Sequence, residues 1–508
     1  MGVYWANLWN TTEGYGATGP PLGYLTAEQN ARAERIRVAR MLWKGQHRKV
    51  FLEEGRTQFP WQRLRAEGVT RQPYVTFNVL RLITTTITDL LIGAEPALRV
   101  EDSYNQAALD DLINRSDLHR VFYDAAKIAS WAAESVVEVS RWDQQVYVAN
   151  LPPDEIWPLG QRNADGQYTT YRRFATAKTT EQTPREILLE TTYSPGRIER
   201  QCYLLAGSTK TQNADLSLWP TKRPDGSPLP PTETTGLDVA SIVWMANELD
   251  EGKPTSDYDG LLELQDMLNA KETQIACILA KHADLKLAVP NSKASETGDL
   301  SSLHNVFFYN NKDEIPSYIG TGNTELANAI ADRDFTLQAL CIAAELSPVL
   351  LGIRHGATPD AVDKLRLEAT KSLARAARKA ASLRPFIRYA LDVALAMENA
   401  GRRVSVAAPP SSVELRDGLP VDDLDEAQTL SMLTAGKQVM SLERAVESQL
   451  PDPAAAALEL ERLRTAAREA TPAILMGRPA DLPASDVGDQ TNAPDESGNA
   501  PLTTQNET

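Results

Sequence analysis

The chain has little cysteine. Cys202, Cys277 and Cys341 are the three cysteines in 508 residues. They are far apart, odd in number and form no CxxC, so neither a disulfide framework nor a zinc site is supported, and a reducing cytoplasm fits. Positive charge is also short: 52 Lys and Arg stand against 68 Asp and Glu, a net charge of −16. A protein that wraps DNA needs a basic surface to displace counterions from phosphates. This chain would meet DNA as a surface that repels or slides, with only local basic contacts. An acidic balance also simply keeps a protein soluble.

Long apolar runs are missing. The best candidate, Val79 to Ala94, is interrupted by Arg81, Asp89 and four threonines. No membrane span is expected. The start, MGVYWANLWNTTEG, lacks a basic segment followed by an apolar one, so no signal peptide is expected. Ala6 stands where a myristoylation signal needs Ser or Thr.

The usual catalytic phrases are absent too. A P-loop needs GxxxxGK[ST], so that backbone amides and a lysine cradle phosphates. Gly252-Lys253-Pro254 and Gly436-Lys437-Gln438 lack both the hydroxyl and the upstream glycine. GYGATG at 14–19 follows no strand and runs into Pro20-Pro21, so it reads as an extended arm. No HExxH or GxSxG occurs. His47, His119, His282, His304 and His355 do not pair at ligand spacing. Asp422, Asp423 and Asp425 read as complements of a helix dipole. Asp257, Asp259 and Glu263 admit a metal-dependent nuclease, but also read as helix-start caps. No catalytic residue, metal or cofactor is assigned, and the chain is read as no enzyme.

What is present is helix in a particular order. Thr26 with Gln29 suits a capping box for a helix running to about Glu54. Asn78 to Ile92 makes a second helix, ended by Gly93 and Pro96. Ala107 to about Ala133 makes a third. Glu134–Val139 and Gln145–Asn150 alternate as a hairpin. Short strands follow at 169–174, 186–193 and 198–205. The stretch 207–236 reads as a Pro/Thr/Gly-rich loop, and Val239–Ala246 as a buried strand. A long helix from Asp257 to about Asp284 leads into a small β-rich excursion at 285–320. A second helix returns at Thr324–Leu346. Ser347-Pro348 breaks it, and Gly352, Gly356 and Pro359 puncture the next segment. A very long helix then runs to about Asn399, with a kink expected at Pro385. Residues 404–421 are β and turn, helices fill 422–470, and an acidic tail poor in apolar residues follows Met476.

Two helices around a small β unit form a hairpin with little core of its own. Each helix of about 24 residues spans about 36 Å. Its apolar stripes need copies of itself, which implies a ring or bundle.

Five phrases in this order resemble the portal protein family of siphovirus-type tailed bacteriophages. They are NVLRLITTTITDLLIGAEP (78–96), LPPDEIWPLG (151–160), SIVWMANELDEGKPTSDYDGLLELQDMLN (241–269), LSPVLLGIRHGATPDAVDKLRLE (346–368) and VELRDGLPVDDLDEAQT (413–429). The resemblance covers most of residues 35–470. It departs at Ala357-Thr358-Pro359-Asp360-Ala361, where many relatives have SSG.AL. It implies an α+β, mainly α-helical fold that assembles as a twelve-fold ring. Its parts would be an N-terminal arm (1–25), a wing (26–256 with the long helix 360–402) and stem helices (257–285 and 324–346). A clip (286–323), a tunnel loop (347–359), a crown (403–475) and a disordered tail (476–508) would complete it.

The resemblance further implies a homo-oligomer at one capsid vertex of the virion, assembled in the host cytoplasm. Double-stranded DNA would pass through its channel. The clip would meet the terminase large subunit and then the head-tail adaptor; the wing would meet major capsid and scaffold proteins. Pro348, Val349, Leu350, Leu351, Gly352, Ile353, Arg354, His355 and Gly356 would line the narrowest passage. Arg354 is placed to touch phosphate or to pair with a neighbouring subunit. Lys281, His282 and Lys286 would lie near the clip, facing DNA or the dipole of their own helix. Arg375, Arg378, Lys379, Arg384 and Arg388 read mostly as a solvated face or inter-subunit ion pairs. Another virion structural protein is the alternative reading.

Overall fold

Thr26 starts the first helix, α1 (Ala27–Trp43), as its spacing to Gln29 suggests. Its Oγ1 accepts from the Gln29 amide at 3.2 Å, and Gln29 Oε1 accepts from the Thr26 amide at 3.0 Å. In the computed structural model, the described residues are 23–57, 74–100, 102–142, 145–163, 166–179, 183–207, 209–221, 228–283, 287–290, 306–309, 323–352, 367–402, 411–416, 446 and 453–470. The chain divides into two units, 1–422 and 423–508. The described part mixes helix with several antiparallel sheets.

The first helix stops short of Glu54. Gly45 takes φ +75°, a conformation that costs a residue with a Cβ, and a π-helical turn follows at Lys49–Glu53. The Asn78 amide donates to the carbonyls of Leu42 and Trp43 at 2.9 and 3.3 Å, which satisfies the helix end. Asn78 also opens α2 (Val79–Ile92), accepting from the Arg81 amide at 3.0 Å. The buried Thr88 hydroxyl in α2 donates to the Thr84 carbonyl at 2.8 Å, so threonine is accommodated inside a helix. Strand β1 (Ala94–Arg99) follows. The helix expected over 107–133 is two helices, α3 (Ser103–Ser116) and α4 (Leu118–Ala132). Asp117 between them has φ +48°, a left-handed turn that breaks the period.

The hairpin of β2 (Glu134–Trp142) and β3 (Gln145–Leu151) forms as its alternation predicts. Next comes a meander of β4 (Ile156–Arg162), β5 (Tyr168–Lys178), β6 (Glu186–Ser194), β7 (Arg197–Ala206) and β8 (Thr209–Ala214). Strand β9 (Thr232–Thr234) also pairs with β7. The expected loop 207–236 therefore carries two strands, and Trp219 and Leu229 within it are buried against Ile187, Leu189 and Cys202. Strand β10 (Ile242–Ala246), buried throughout as expected, pairs with β2. A short hairpin, β11 (Glu248–Asp250) and β12 (Lys253–Thr255), precedes α5 (Leu262–Ala283). Strands β13 (Leu287–Pro290) and β14 (Val306–Tyr309) pair in parallel, and α6 (Asn323–Ala343) returns. After a 3-10 turn at Pro348–Leu351 come α7 (Thr370–Arg402) and β15 (Ser412–Arg416), the latter antiparallel to β1. The helix α7 continues through Pro385, which sits at an exposed position.

The long helix α7 is the spine. Leu383, Phe386, Ile387, Ala390, Leu391 and Ala394 are buried at helical spacing against α4 and the β2–β3–β10 sheet. Phe386 meets Phe122 edge-to-face with ring centroids 6.5 Å apart. Each such large side chain stabilises by about 1.5–3 kcal/mol. A second core joins Ile36, Leu42, Leu80 and Ile83 to Tyr258, Leu268, Leu337 and Leu340, and so roots α5 and α6 in the helices before them. In the second unit, α8 (Pro453–Ala470) is described; Leu458 and Leu463 are exposed on it.

Candidate functional site

The helices α5 and α6 run antiparallel. Lys271 of α5 pairs with Asp332 at 2.8 Å and donates to Thr336 Oγ1 at 2.6 Å, and Glu272 pairs with Arg333 at 3.5 Å. Residues later in α5, Gln274 and Ile278, border Asn328 and Ala329, earlier in α6. The root of α5 is held by polar side chains one turn apart. Gln265 Nε2 donates to the Phe77 carbonyl at 2.7 Å, and its Oε1 accepts from the Leu80 amide at 3.3 Å. Asn269 Oδ1 accepts from the Phe77 amide at 3.1 Å, and Thr273 Oγ1 from the Val75 amide at 2.9 Å. Positions 265, 269 and 273 thus bond the backbone leading into α2.

His47 sits in the same joint. Its Nδ1 accepts from the Asn269 amide at 3.0 Å and its Nε2 donates to the Leu42 carbonyl at 3.1 Å. Those partners specify a neutral ring protonated on Nε2. Burial pulls its pKa down to about 4.

On the outer side of the pair, large apolar side chains are exposed. Phe335 is 70% exposed and Ile342 73% exposed; Leu279 of α5 and Ile330 of α6 are exposed as well. Phe335 and Ile342 are seven residues apart, which places them on one side of α6. Charged residues would be the default on a solvated helix face.

The helix-capping reading of Asp257 and the solvated reading of Arg375 and Lys379 are both overturned. The helix begins at Leu262, and Asp257 is buried in the turn before it. Lys379 Nζ lies 2.6 and 2.7 Å from the two Asp257 oxygens, and Arg375 Nη2 lies 2.9 Å from Oδ1. Ser130 Oγ donates to Oδ2 at 2.5 Å and Asn247 Nδ2 to Oδ1 at 3.1 Å. Burial alone would push this carboxyl up, but Lys379 and Arg375 hold it below the ordinary carboxylate range. Asp259 does not cap a helix either; its Oδ2 accepts from the Ser256 amide at 2.9 Å, and burial pushes its carboxyl up to about 6.

The segment expected to line a passage begins at the end of this joint. The Ser347 amide donates to Ser372 Oγ at 2.9 Å. Pro348, Val349, Leu350 and Leu351 make one half-buried 3-10 turn, with Leu351 packed against the root of the hairpin. Gly352 ends it at φ +77°. Ile353, Arg354, His355 and Gly356 lie outside the described residues. Lys281 and His282 fall in the last turn of α5, with side chains outside the described part, and Lys286 lies outside it altogether.

Sequence reasoning missed the Asp257 cluster and the Gln265–Asn269–Thr273 ladder. Lys379 does carry a signal, since it falls in step with Leu383, Phe386 and Ile387 on the apolar stripe of α7. No family model matches the chain, and no curated protein does. Among solved structures, a chain from the neck of a native GTA particle computed with C12 symmetry is 12% identical, with 72% of this chain and 88% of that chain covered at a TM-score of 0.35. A likeness of that size carries no argument about fold or function.

Proposed function

We propose that the chain is one subunit of a phage portal: a ring at one capsid vertex through which double-stranded DNA is packaged and ejected. The observation that carries the reading is the α5–α6 hairpin. It is rooted in the core at one end, and beside that root the outer side of α6 leaves Phe335 and Ile342 exposed among the described residues. Copies of the chain set side by side in a ring would cover them, which suits a hairpin with little core of its own. The order of parts supports the same reading: a parallel β pair at the hairpin tip, a broken segment from Pro348, then a long helix. So do the five sequence phrases, which fall in the family's order. The terminase, head-tail adaptor, capsid and scaffold proteins are the partners that this role entails, and the virion is its place. A net charge of −16 keeps such a channel from gripping the duplex along its length. The competing nuclease reading leans on Asp257, whose two oxygens are already taken by protein donors.

The test is the mass and shape of the purified full chain by light scattering and electron microscopy. A ring of about a dozen subunits, around a hole that admits a duplex of roughly 20 Å, is the expected result. A monomer at every concentration, or a closed assembly with no axial hole, would overturn the reading.

A further inference from the structure

The Asp257 cluster does more than bury a charge. Two cations share one buried carboxylate, and Glu248 acts on Lys379 through charge alone, so the buried cluster itself carries one positive charge too many. It does so where the side chains of Asp257, Lys379 and Arg375 are 0%, 3% and 10% exposed. An uncompensated buried cation is unfavourable, so a further electron-rich partner is required. The structure supplies one. Arg375 Nη1 donates to the carbonyl of Ala344, just past the last residue of α6. That carbonyl lies at the negative end of the helix dipole.

We infer that Arg375 is a positioning residue: Asp257 holds it in place, and its surplus charge seats the carboxyl end of α6 on α7. Lys379 neutralises Asp257, which leaves Arg375 free to serve the helix end. Two neighbours act on the same joint. Ser372 Oγ accepts from the Ser347 amide at 2.9 Å, and Arg378 pairs with Glu345. Ser372, Arg375 and Lys379 are three and four residues apart, hence on one side of α7. The turn at Pro348–Leu351 thus leaves α6 from a point pinned to the first turns of α7. The inference stands whether or not the chain forms a channel.

The test is hydrogen exchange by mass spectrometry on the full chain, comparing amides 340–352 with amides 118–142. Loss of a charge-assisted hydrogen bond corresponds to roughly a 10- to 100-fold change in local opening. Arg375→Met is expected to raise exchange at 340–352 by at least about tenfold while 118–142 keeps its protection. Lys379→Met, which leaves Arg375 on both of its partners, is expected to keep 340–352 protected. Arg375→Lys retains the charge without the two-pronged geometry, and carries the test if the methionine variant does not fold; a smaller rise confined to 340–352 is expected. Unchanged exchange at 340–352 in either Arg375 variant, or an equal rise in both segments, would overturn the assignment.

Discussion

Asp257 sits at the turn into a helix, where a carboxylate ordinarily caps amides in water. Here it is the single anion of a buried cluster, so removing its charge strands two cations. Asp257→Asn is expected to destabilise the fold by about 3–5 kcal/mol in denaturant unfolding, and adding Lys379→Met should recover a large part of that. A loss in the double variant equal to the sum of the Asp257→Asn and Lys379→Met losses would show that the charges are not coupled. His47 gives a pH-dependent prediction. Its folded pKa of about 4 lies below the ordinary 6.5, so the folded state binds fewer protons in that window. The stability held by neutral His47 is fully present above pH 6.5 and drains away as pH falls to about 4. The total is on the order of 3 kcal/mol. Asp259 has the opposite sign: its carboxyl is raised from 3.8 to about 6, so its contribution is present at low pH and is lost as pH rises through that window. The informative quantity is therefore the difference between the protein and His47→Gln, which should flatten the slope between pH 6.5 and 4. An unchanged slope would remove His47 from the account. Of these groups the sequence shows only residue types. Lys379 in step with an apolar stripe hints at burial, but its partner Asp257 lies on a distant part of the chain, and periodicity holds no information about that pairing.

At the scale of elements, strong periodicity was readable and interruptions were not. The β2–β3 hairpin, the buried strand β10 and the spine α7 follow from apolar spacing, and α5 and α6 run through stretches free of Gly and Pro. The breaks at Gly45 and Asp117 are set by tertiary contacts and a left-handed residue, neither of which alters the local hydrophobic pattern. Strand β8, TKTQNA, has no apolar alternation and exists because β7 offers it a ladder. Asn78 joins two such elements, capping α2 while bonding the carbonyl end of α1. Asn78→Ala should therefore cost about 1–2 kcal/mol, toward the upper end of a cap loss. A loss within a few tenths of a kcal/mol in thermal or denaturant unfolding would mean that water replaces both roles. On α6, Phe335→Ser with Ile342→Ser should leave the circular dichroism of the chain unchanged and abolish its assembly in light scattering. An intact assembly in that double variant would separate these side chains from the subunit contact.

For the whole molecule, the order of helices and strands was the most readable feature, while positions 353–356 of the segment expected to line a passage lie outside the described residues. The Pro348–Leu351 turn follows α6 and ends at Gly352 with φ +77°. On the portal reading, its apolar side chains and the acidic balance of the chain would suit a passage that excludes more than it binds. The most direct measurement is site-specific photo-cross-linking in DNA-filled particles, with a photoreactive side chain at Leu350 and a control at the exposed Tyr104. The portal reading predicts protein–DNA adducts from position 350 and none from position 104. Particles that carry the subunit and its packaged DNA yet yield no adduct from 350, or yield adducts equally from both positions, would contradict it.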